Sequence, residues 1–128
     1  MDAKKTILRN FPYDDLYDND SFLGKLHEKQ VWDIEEYWVL EWGIYELEKN
    51  SSEKLDWEVF RIFSIIMGKI SCHLDKNDYF KIKKLKRLKL YELRERVQLV
   101  FEGYFSKSMP EKNIFEEVNP LLNSPHLT

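Results

Sequence analysis

Apolar residues along this chain recur mostly at intervals of three and four positions, which is the spacing of one face of an α-helix. Between Asp33 and Asn50 they form one stripe and a second flank, and Asp33 is well placed to cap the first turn. A second regular pattern runs from Leu88 to Phe105, with charged residues pointing outward. The two segments predict long helices. The first is expected to be central because it has apolar residues on more than one side.

Three further patterns predict the remaining helices. From Asp56 or Ser52 to about Leu74, apolar side chains surround the helix axis almost completely, so this helix is expected to be the most buried element. The other two patterns are shorter, and each lies next to a residue that favours a helix start. They predict helices from Asp20 or Ser21 to Glu28 and from Glu111 to Val118.

Length and composition then set the fold class. The chain has 128 residues, of which 43% are apolar, and this is enough material for one hydrophobic core. Only 4 Gly and 4 Pro are present, too few for the many tight turns of a β-sandwich or barrel. We therefore expect an all-α, single compact domain of about five helices over residues 1–128, with loose ends at 1–8 and 123–128. A short N-terminal β segment around Thr6 to Leu8 is the one β alternative.

The cysteine content and the N-terminal sequence indicate the cell compartment. Cys72 is the one cysteine, so no internal disulfide is possible. Met1 is followed by acidic and basic residues instead of an apolar signal segment. The most apolar run, Val59 to Ile70, is shorter than the ~20 residues that a membrane-spanning helix needs. These features predict a cytoplasmic protein without membrane contact.

No arrangement of residues predicts a catalytic, metal or cofactor site. The three histidines are not accompanied by a motif typical of nucleophilic catalysis, and no phosphate- or dinucleotide-binding glycine motif occurs. Adjacent Cys72 and His73 would project about 100° apart on a helix, so we interpret them as a core thiol and a hydrogen-bonded histidine. We predict that the protein is not an enzyme and needs no cofactor. A hydrolase using its abundant carboxylates is the least favoured alternative.

The net charge of −3 conceals a strong partition along the chain. Asn10 to Phe60 holds 14 Asp or Glu against 4 Lys or Arg, whereas Lys69 to Leu99 holds 10 basic against 4 acidic residues. Such asymmetry affects which partners a protein attracts and how fast they associate.

The acidic half includes a segment in which carboxylates and tyrosines are interleaved. Its members are Tyr13, Asp14, Asp15, Tyr17, Asp18 and Asp20. Tyrosine is enriched at the tightest contacts of interfaces, and a negative patch accelerates encounter with a basic protein. The same pattern also suits helix caps and a solvated surface, so further information is needed to choose between these interpretations.

A basic segment from Lys81 to Lys89 offers a different function. Its six basic side chains are able to follow nucleic-acid phosphates. The net negative charge of the whole chain opposes binding to a polyanion, and a lysine run is usually a solubilising face. A small nucleic-acid-binding regulator is therefore the alternative function. The segment itself is expected to be a loop or a short helix.

Seven segments between Arg9 and about Leu122 form a characteristic combination. They are Arg9–Tyr13, Asp18–Leu26, Glu36–Trp42, Val59–Ser64, Cys72–Asp75, Leu90–Arg96 and Phe101–Phe105. In these segments the chain resembles the immunity protein 41 family of polymorphic toxin and contact-dependent growth inhibition systems. None of the segments indicates a particular chemical reaction.

The resemblance implies a bacterial cytoplasmic antidote that binds the cognate C-terminal toxin domain of a delivered effector, one-to-one, without direct nucleic-acid contact. Such toxins are often nucleases, so the acidic segment is expected to block a basic substrate groove. Trp32, Glu35 and Glu36 complete the expected contact residues. Tyr13, Tyr17 and Trp32 are the expected aromatic anchors, with burial inside the domain an equally good interpretation of Trp32.

Overall fold

The regular structure consists of five α-helices and one 3₁₀ turn in a computed structural model that describes residues 1–50 and 54–122. The helices are α1 (Ala3–Leu8), α2 (Phe22–Lys29), α3 (Ile34–Asn50), α4 (Asp56–Leu74) and α5 (Arg87–Ser106), followed by the 3₁₀ turn at Lys112–Ile114. Over those two ranges the structure contains no strand. The prediction of an all-α domain of about five helices is confirmed.

Side-chain caps fix the starts of α2 and α3 where the sequence placed them. The Ser21 hydroxyl accepts from the Gly24 N–H at 3.0 Å, and the Asp33 carboxylate accepts from the Glu36 N–H at 3.2 Å. Each cap satisfies an N–H group that has no partner inside the helix. α4 starts at Asp56 with Leu55 in the cap position and no side-chain cap bond. Ser52, the other expected cap of α4, lies outside the described residues.

Helix α3 is the central element, as predicted. It packs against α1, α2 and α5, and it buries residues on several sides, including the carboxylate of Glu41. At Gly43 the α1 helix passes so close that an added Cβ would lie 3.0 Å from the Thr6 methyl carbon. The absence of a side chain at Gly43 therefore permits the close contact of α1 with α3.

Helix α4 buries only one stripe, so the prediction that it is the most buried element is wrong. Val59, Ile62, Ile66 and Ile70 face the core at helical spacing. On the other side of the helix, Trp57 remains 59% exposed. No helix in the described part of the chain covers this outer side. An apolar pattern that surrounds the axis therefore does not mean here that α4 is enclosed.

The N-terminal residues form a packed helix instead of a loose end or a β segment. The Asp2 carboxylate caps α1 by accepting from the Lys5 N–H at 3.1 Å, and Ile7 is completely buried. The two predictions for this segment, a loose end at 1–8 and a β segment at Thr6 to Leu8, are therefore wrong where α1 lies. The cause is local capping plus packing on α3, since Thr6–Leu8 meets no strand to pair with. The other loose end predicted, at 123–128, lies outside the described residues.

The C-terminal segment also departs from the prediction of a helix over Glu111 to Val118. Only the three-residue 3₁₀ turn forms there. Beyond it, the Arg96 guanidinium lies 4.3 Å from the centre of the Phe115 ring, and the buried Asn119 amide donates to the Trp38 carbonyl at 3.0 Å. Docking onto α3 and α5 by these contacts replaces the helical hydrogen bonds that the local sequence favours.

Candidate partner-binding surface

The acidic segment forms a loop between α1 and α2 that is closed at its base. The Asp18 N–H donates to the Arg9 carbonyl at 2.9 Å, which joins the two ends of the loop. Beside this bond, the buried Asn10 side chain accepts from the Leu23 N–H at 2.9 Å and donates to the Thr6 carbonyl at 2.9 Å. We call residues 9–20 the acidic loop. Its two ends are fixed to α1 and α2, so its tip is held in a defined place.

Arg9 neutralises two of the predicted contact acids. Its guanidinium donates to the Asp18 carboxylate at 3.1 Å and to the Glu36 carboxylate at 2.7 Å, linking the loop to α3. The backbone N–H of Asp20 and the Arg9 guanidinium both donate to the Asp18 carboxylate and hold its pKa below the ordinary value. Asp18 and Glu36 therefore act first as parts of the fold.

Two further carboxylates are paired with lysines of α2. Lys29 lies 3.1 Å from the Asp20 carboxylate, and Lys25 lies 2.7 Å from that of Asp33. These pairs reduce the negative charge that the acidic half presents. Among the predicted contact acids, Asp14, Asp15 and Glu35 take part in no ion pair within the described residues. Asp15 and Glu35 are exposed, and Asp14 accepts from the Leu16 N–H.

The predicted anchors Tyr17 and Trp32 lie partly inside the domain. The Trp32 ring packs edge-on against Phe22, with ring centres 4.8 Å apart, and also contacts Tyr37. The Trp32 indole N–H and the Tyr17 hydroxyl are buried without a hydrogen-bond partner among the described residues. Burial raises the pKa of Tyr17, and the nearby Glu28 adds to the effect. These two aromatic residues contribute mainly to the packing beneath the acidic loop.

Tyr13 lies at the tip of the acidic loop and belongs to an exposed cluster with two residues of α4. Its ring is 67% exposed, and its hydroxyl accepts from the Arg61 guanidinium at 3.0 Å. The guanidinium carbon lies 5.6 Å from the centre of the Tyr13 ring and 5.8 Å from the centre of the Trp57 ring, distances typical of cation–π contacts. We call Tyr13, Trp57 and Arg61 the aromatic–arginine cluster.

Sequence reasoning identified Tyr13 but missed Trp57 and Arg61. Trp57 lies in the helix that the sequence predicts to be the most buried element, so the pattern indicates a buried residue. One signal was available: Trp57 precedes Val59 by two positions and is therefore about 200° away from it around a helix. A stripe through Val59 and Ile62 thus leaves Trp57 on the opposite side.

An open groove between α4 and α5 adjoins this side of α4. Its walls are mainly aromatic, and Phe63 lies against Phe101 with ring centres 5.4 Å apart. Phe60 and Phe105 at its rim are 50% and 42% exposed. The groove also contains the carboxylate residue Glu102.

The basic segment is a loop as far as Lys86, and α5 begins at Arg87. Lys81 is engaged within the fold, where its ammonium group donates to the Asp75 carbonyl at 2.7 Å and to the Asp78 carbonyl at 2.9 Å. Exposed side chains of the segment remain available to solvent: Lys83, Lys84, Lys86 and Arg87.

His73 shows the hydrogen-bonded arrangement predicted for it, whereas Cys72 is only partly buried, so its interpretation as a core thiol is wrong. The His73 Nδ1 atom accepts from the Ile82 N–H at 2.8 Å. Burial lowers the pKa of His73, and the positive charge of Lys81 lowers it further. Within residues 1–50 and 54–122, no three His, Cys, Asp or Glu side chains are grouped to hold a metal ion. None of the helices described in those ranges has the length and apolar character to cross a membrane.

Comparison with known proteins identifies the family. No characterised protein and no solved structure matches this chain. The sequence model of one family, described as immunity protein 41, matches residues 9–109. The match covers the acidic loop, the aromatic–arginine cluster and helices α2 to α5, and it confirms the resemblance noted in the sequence. The chain therefore belongs to the immunity protein 41 family and is a toxin immunity protein.

Proposed function

We propose that this protein neutralises a cognate bacterial toxin by binding its C-terminal toxin domain directly, in a one-to-one complex in the cytoplasm. The toxin domain is a nuclease, and the acidic loop covers its basic substrate groove. One observation carries this proposal within the family: Tyr13, Asp14 and Asp15 stand together at the tip of a loop whose base is fixed by hydrogen bonds.

The division of the carboxylates into two groups supports this mechanism. The ion pairs that shape the loop are formed by Asp18, Asp20 and Glu36. Asp14, Asp15 and Glu35 take part in none of the described ion pairs and are available as substitutes for substrate phosphates. Because the loop is already shaped, little conformational entropy is lost on binding. An antidote to a nuclease needs a nanomolar or tighter complex, which corresponds to about 12 kcal/mol.

The decisive experiment measures association with the purified cognate toxin domain, which is sought at the end of the reading frame immediately upstream. The test variant carries Asp14→Asn, Asp15→Asn and Glu35→Gln. Its matched control carries Glu95→Gln, Glu111→Gln and Glu116→Gln, which remove three exposed charges elsewhere on the surface. We expect the association rate of the wild-type protein to fall steeply as salt rises, and the test variant to lose both rate and salt dependence.

Two readouts decide the outcome. Wild-type protein is expected to block DNA or RNA cleavage by the toxin domain at equimolar concentration and to keep co-expressing cells alive. The control variant is expected to behave like wild type, since it has the same net charge as the test variant. A salt-independent association rate contradicts the electrostatic mechanism, and cell death in the presence of wild-type protein contradicts the antidote function.

A nucleic-acid-binding regulator is the second candidate, because Lys83, Lys84 and Lys86 are exposed on one loop. A gel-shift assay with random duplex DNA separates it from the first. Binding that weakens with salt and disappears when these three lysines are changed to Gln would favour the regulator. We expect no shift with the free protein.

A further inference from the structure

The outer side of α4 carries few of the charged residues that cover most helical surfaces, and Arg61 is the charged side chain next to Trp57. No charged residue occurs from Ile62 to Gly68, although 34% of the residues in the chain are charged. Trp57 and Gly68 are exposed roughly opposite the buried stripe that begins at Val59. Phe60 is also exposed, about 100° around the helix from Val59, where it lines the groove between α4 and α5. An exposed helix of a protein without partners normally presents polar and charged residues there.

The aromatic–arginine cluster gives one end of this surface a preformed shape. Arg61 is held between the Tyr13 and Trp57 rings and by its bond to the Tyr13 hydroxyl. Trp, Tyr and Arg are the residue types most enriched where protein interfaces bind tightest. Tyr13 is also part of the acidic loop, so the cluster continues the proposed toxin-binding surface onto α4.

Gly68 provides an independent observation at the other end. A Cβ added there would meet no atom within 4 Å, so the fold itself does not require glycine. Glycine in the interior of a helix is less favourable than alanine. Gly68 therefore leaves the helix backbone open to close approach by another molecule.

The charges around this surface indicate the chemistry of the partner. Asp14 and Asp15 lie on the loop side, Asp56 and Glu58 are in the first turn of α4, and Glu102 is in the adjoining groove. The described basic residues on the same elements are Arg61, which contacts two rings, Lys54 before α4, Lys69 next to Gly68 and Lys107 after α5. Because four of the five carboxylates lie at the Trp57 end, that end has an apolar centre with a mainly acidic rim and fits a cationic protein surface with an apolar centre.

We infer that the toxin domain docks along the outer side of α4, from Trp57 to Gly68, with Trp57 as its apolar anchor. This inference rests on the proposed function and extends the interface beyond the acidic loop. Desolvated contacts at Trp57 lower the dissociation rate, whereas the carboxylates of the loop raise the association rate. The two parts of the surface are therefore separable by kinetics.

Two variants test this docking surface against the purified toxin domain. Trp57→Ala removes the anchor, and Gly68→Gln adds bulk without charge on the outer side of α4. We expect Trp57→Ala to weaken binding by at least ~30-fold, almost entirely through faster dissociation. We expect Gly68→Gln to weaken binding while stabilising the free protein, because Gln favours helix more than Gly. Opposite effects on binding and stability exclude misfolding as the cause.

The chain offers matched controls for each variant. Tyr79 and Leu88 are exposed apolar residues outside this surface, so Tyr79→Ala and Leu88→Ala are expected to keep wild-type affinity. Gly68→Ala favours helix with much less bulk and is expected to bind more tightly than Gly68→Gln. The fluorescence of Trp57 measures its burial in the complex. Its emission is expected to shift to shorter wavelength on binding, and Trp57→Phe is expected to remove that shift.

The possible outcomes separate this inference from the proposed function. Wild-type affinity in both Trp57→Ala and Gly68→Gln overturns the docking surface, and it leaves the proposed function standing if the acidic-loop variant still loses binding. No binding by wild-type protein overturns both. A wild-type dimer that becomes a monomer on Trp57→Ala, detected by light scattering, assigns the surface to a second copy and also overturns the inference.

Discussion

The Arg96 guanidinium of α5 and the Glu41 carboxylate of α3 form a buried, two-pronged ion pair. Arg96 Nε lies 2.8 Å from Glu41 Oε1, and Arg96 Nη2 lies 2.9 Å from Glu41 Oε2. Their side chains are only 7% and 0% exposed. The buried Asn119 amide also donates to Glu41 Oε2 at 3.0 Å. The pair therefore connects α3, α5 and the C-terminal segment at one point.

Removing one member of this pair is expected to destabilise the fold strongly. Glu41→Ala leaves the Arg96 guanidinium buried without its counter-charge, which costs about 3–5 kcal/mol in free energy of unfolding. Urea denaturation at pH 7 measures the loss. The double variant Glu41→Met with Arg96→Leu removes both charges and is expected to recover much of it. A loss below about 1 kcal/mol in Glu41→Ala would show that water reaches the pair.

The ion pair between Arg96 and Glu41 illustrates why only part of the fold is predictable from the sequence. The stripes of α3 and α5 and the caps Ser21 and Asp33 are local patterns, and these elements formed as expected. The partner of Glu41 is 55 residues away in sequence, and no periodic pattern connects the two. The C-terminal segment is positioned by its contact with Arg96 and by the hydrogen bonds of its own Asn119. These distant contacts outweigh the local preference for a helix.

The candidate site was predictable only in part, for a related physical reason. The interleaving of tyrosines and aspartates indicates where the acidic loop lies, and Tyr13 is at its tip. Which aspartates remain available depends on distant cations such as Arg9, whose partners Asp18 and Glu36 come from different elements. Trp57 was missed because an apolar pattern gives spacing but does not show whether a neighbour covers each side.

The Asp18 carboxylate is expected to make the acidic loop sensitive to strong acid. Its pKa is lower in the folded protein than the ordinary value of 3.8, so its stabilising contribution is present above about pH 4. The contribution is lost as pH falls below that value, because the unfolded chain takes up the proton more readily. Asp18→Asn, which keeps a side-chain oxygen for the Asp20 N–H, is expected to flatten the fall in unfolding free energy. Urea denaturation across this pH range compares the two proteins, and equal slopes contradict the assignment.

His73 is expected to add a second pH dependence in a separate range. Its Nδ1 atom must be unprotonated to accept from the Ile82 N–H, and its folded-state pKa is lowered from 6.5. The unfolded state therefore binds the proton more readily, so stability is fully present above about pH 6.5 and falls as the pH drops towards the folded pKa.

The variant His73→Gln supplies the comparison, since its side chain does not titrate. Its unfolding free energy is expected to be lower than that of wild type at pH 7.5, and the difference is expected to shrink as the pH falls to about 5. Urea denaturation over this range measures both curves. The His73 imidazole signal in an NMR titration gives the folded pKa directly, and a value at or above 6.5 would contradict the prediction.

Two glycines in helices are expected to respond to alanine in opposite directions. An added Cβ at Gly68 meets nothing within 4 Å, so Gly68→Ala is expected to raise the free energy of unfolding by about 1 kcal/mol.

At Gly24 the same Cβ would lie 2.3 Å from the Asp18 carbonyl oxygen, which belongs to the base of the acidic loop. Backbone atoms cannot move aside there as a flexible side chain does. Gly24→Ala is therefore expected to lower both stability and the rate of toxin association, because the loop must shift. Thermal denaturation and association kinetics measure these effects. A stabilising Gly24→Ala would mean that the loop is not held against α2 as the structure shows.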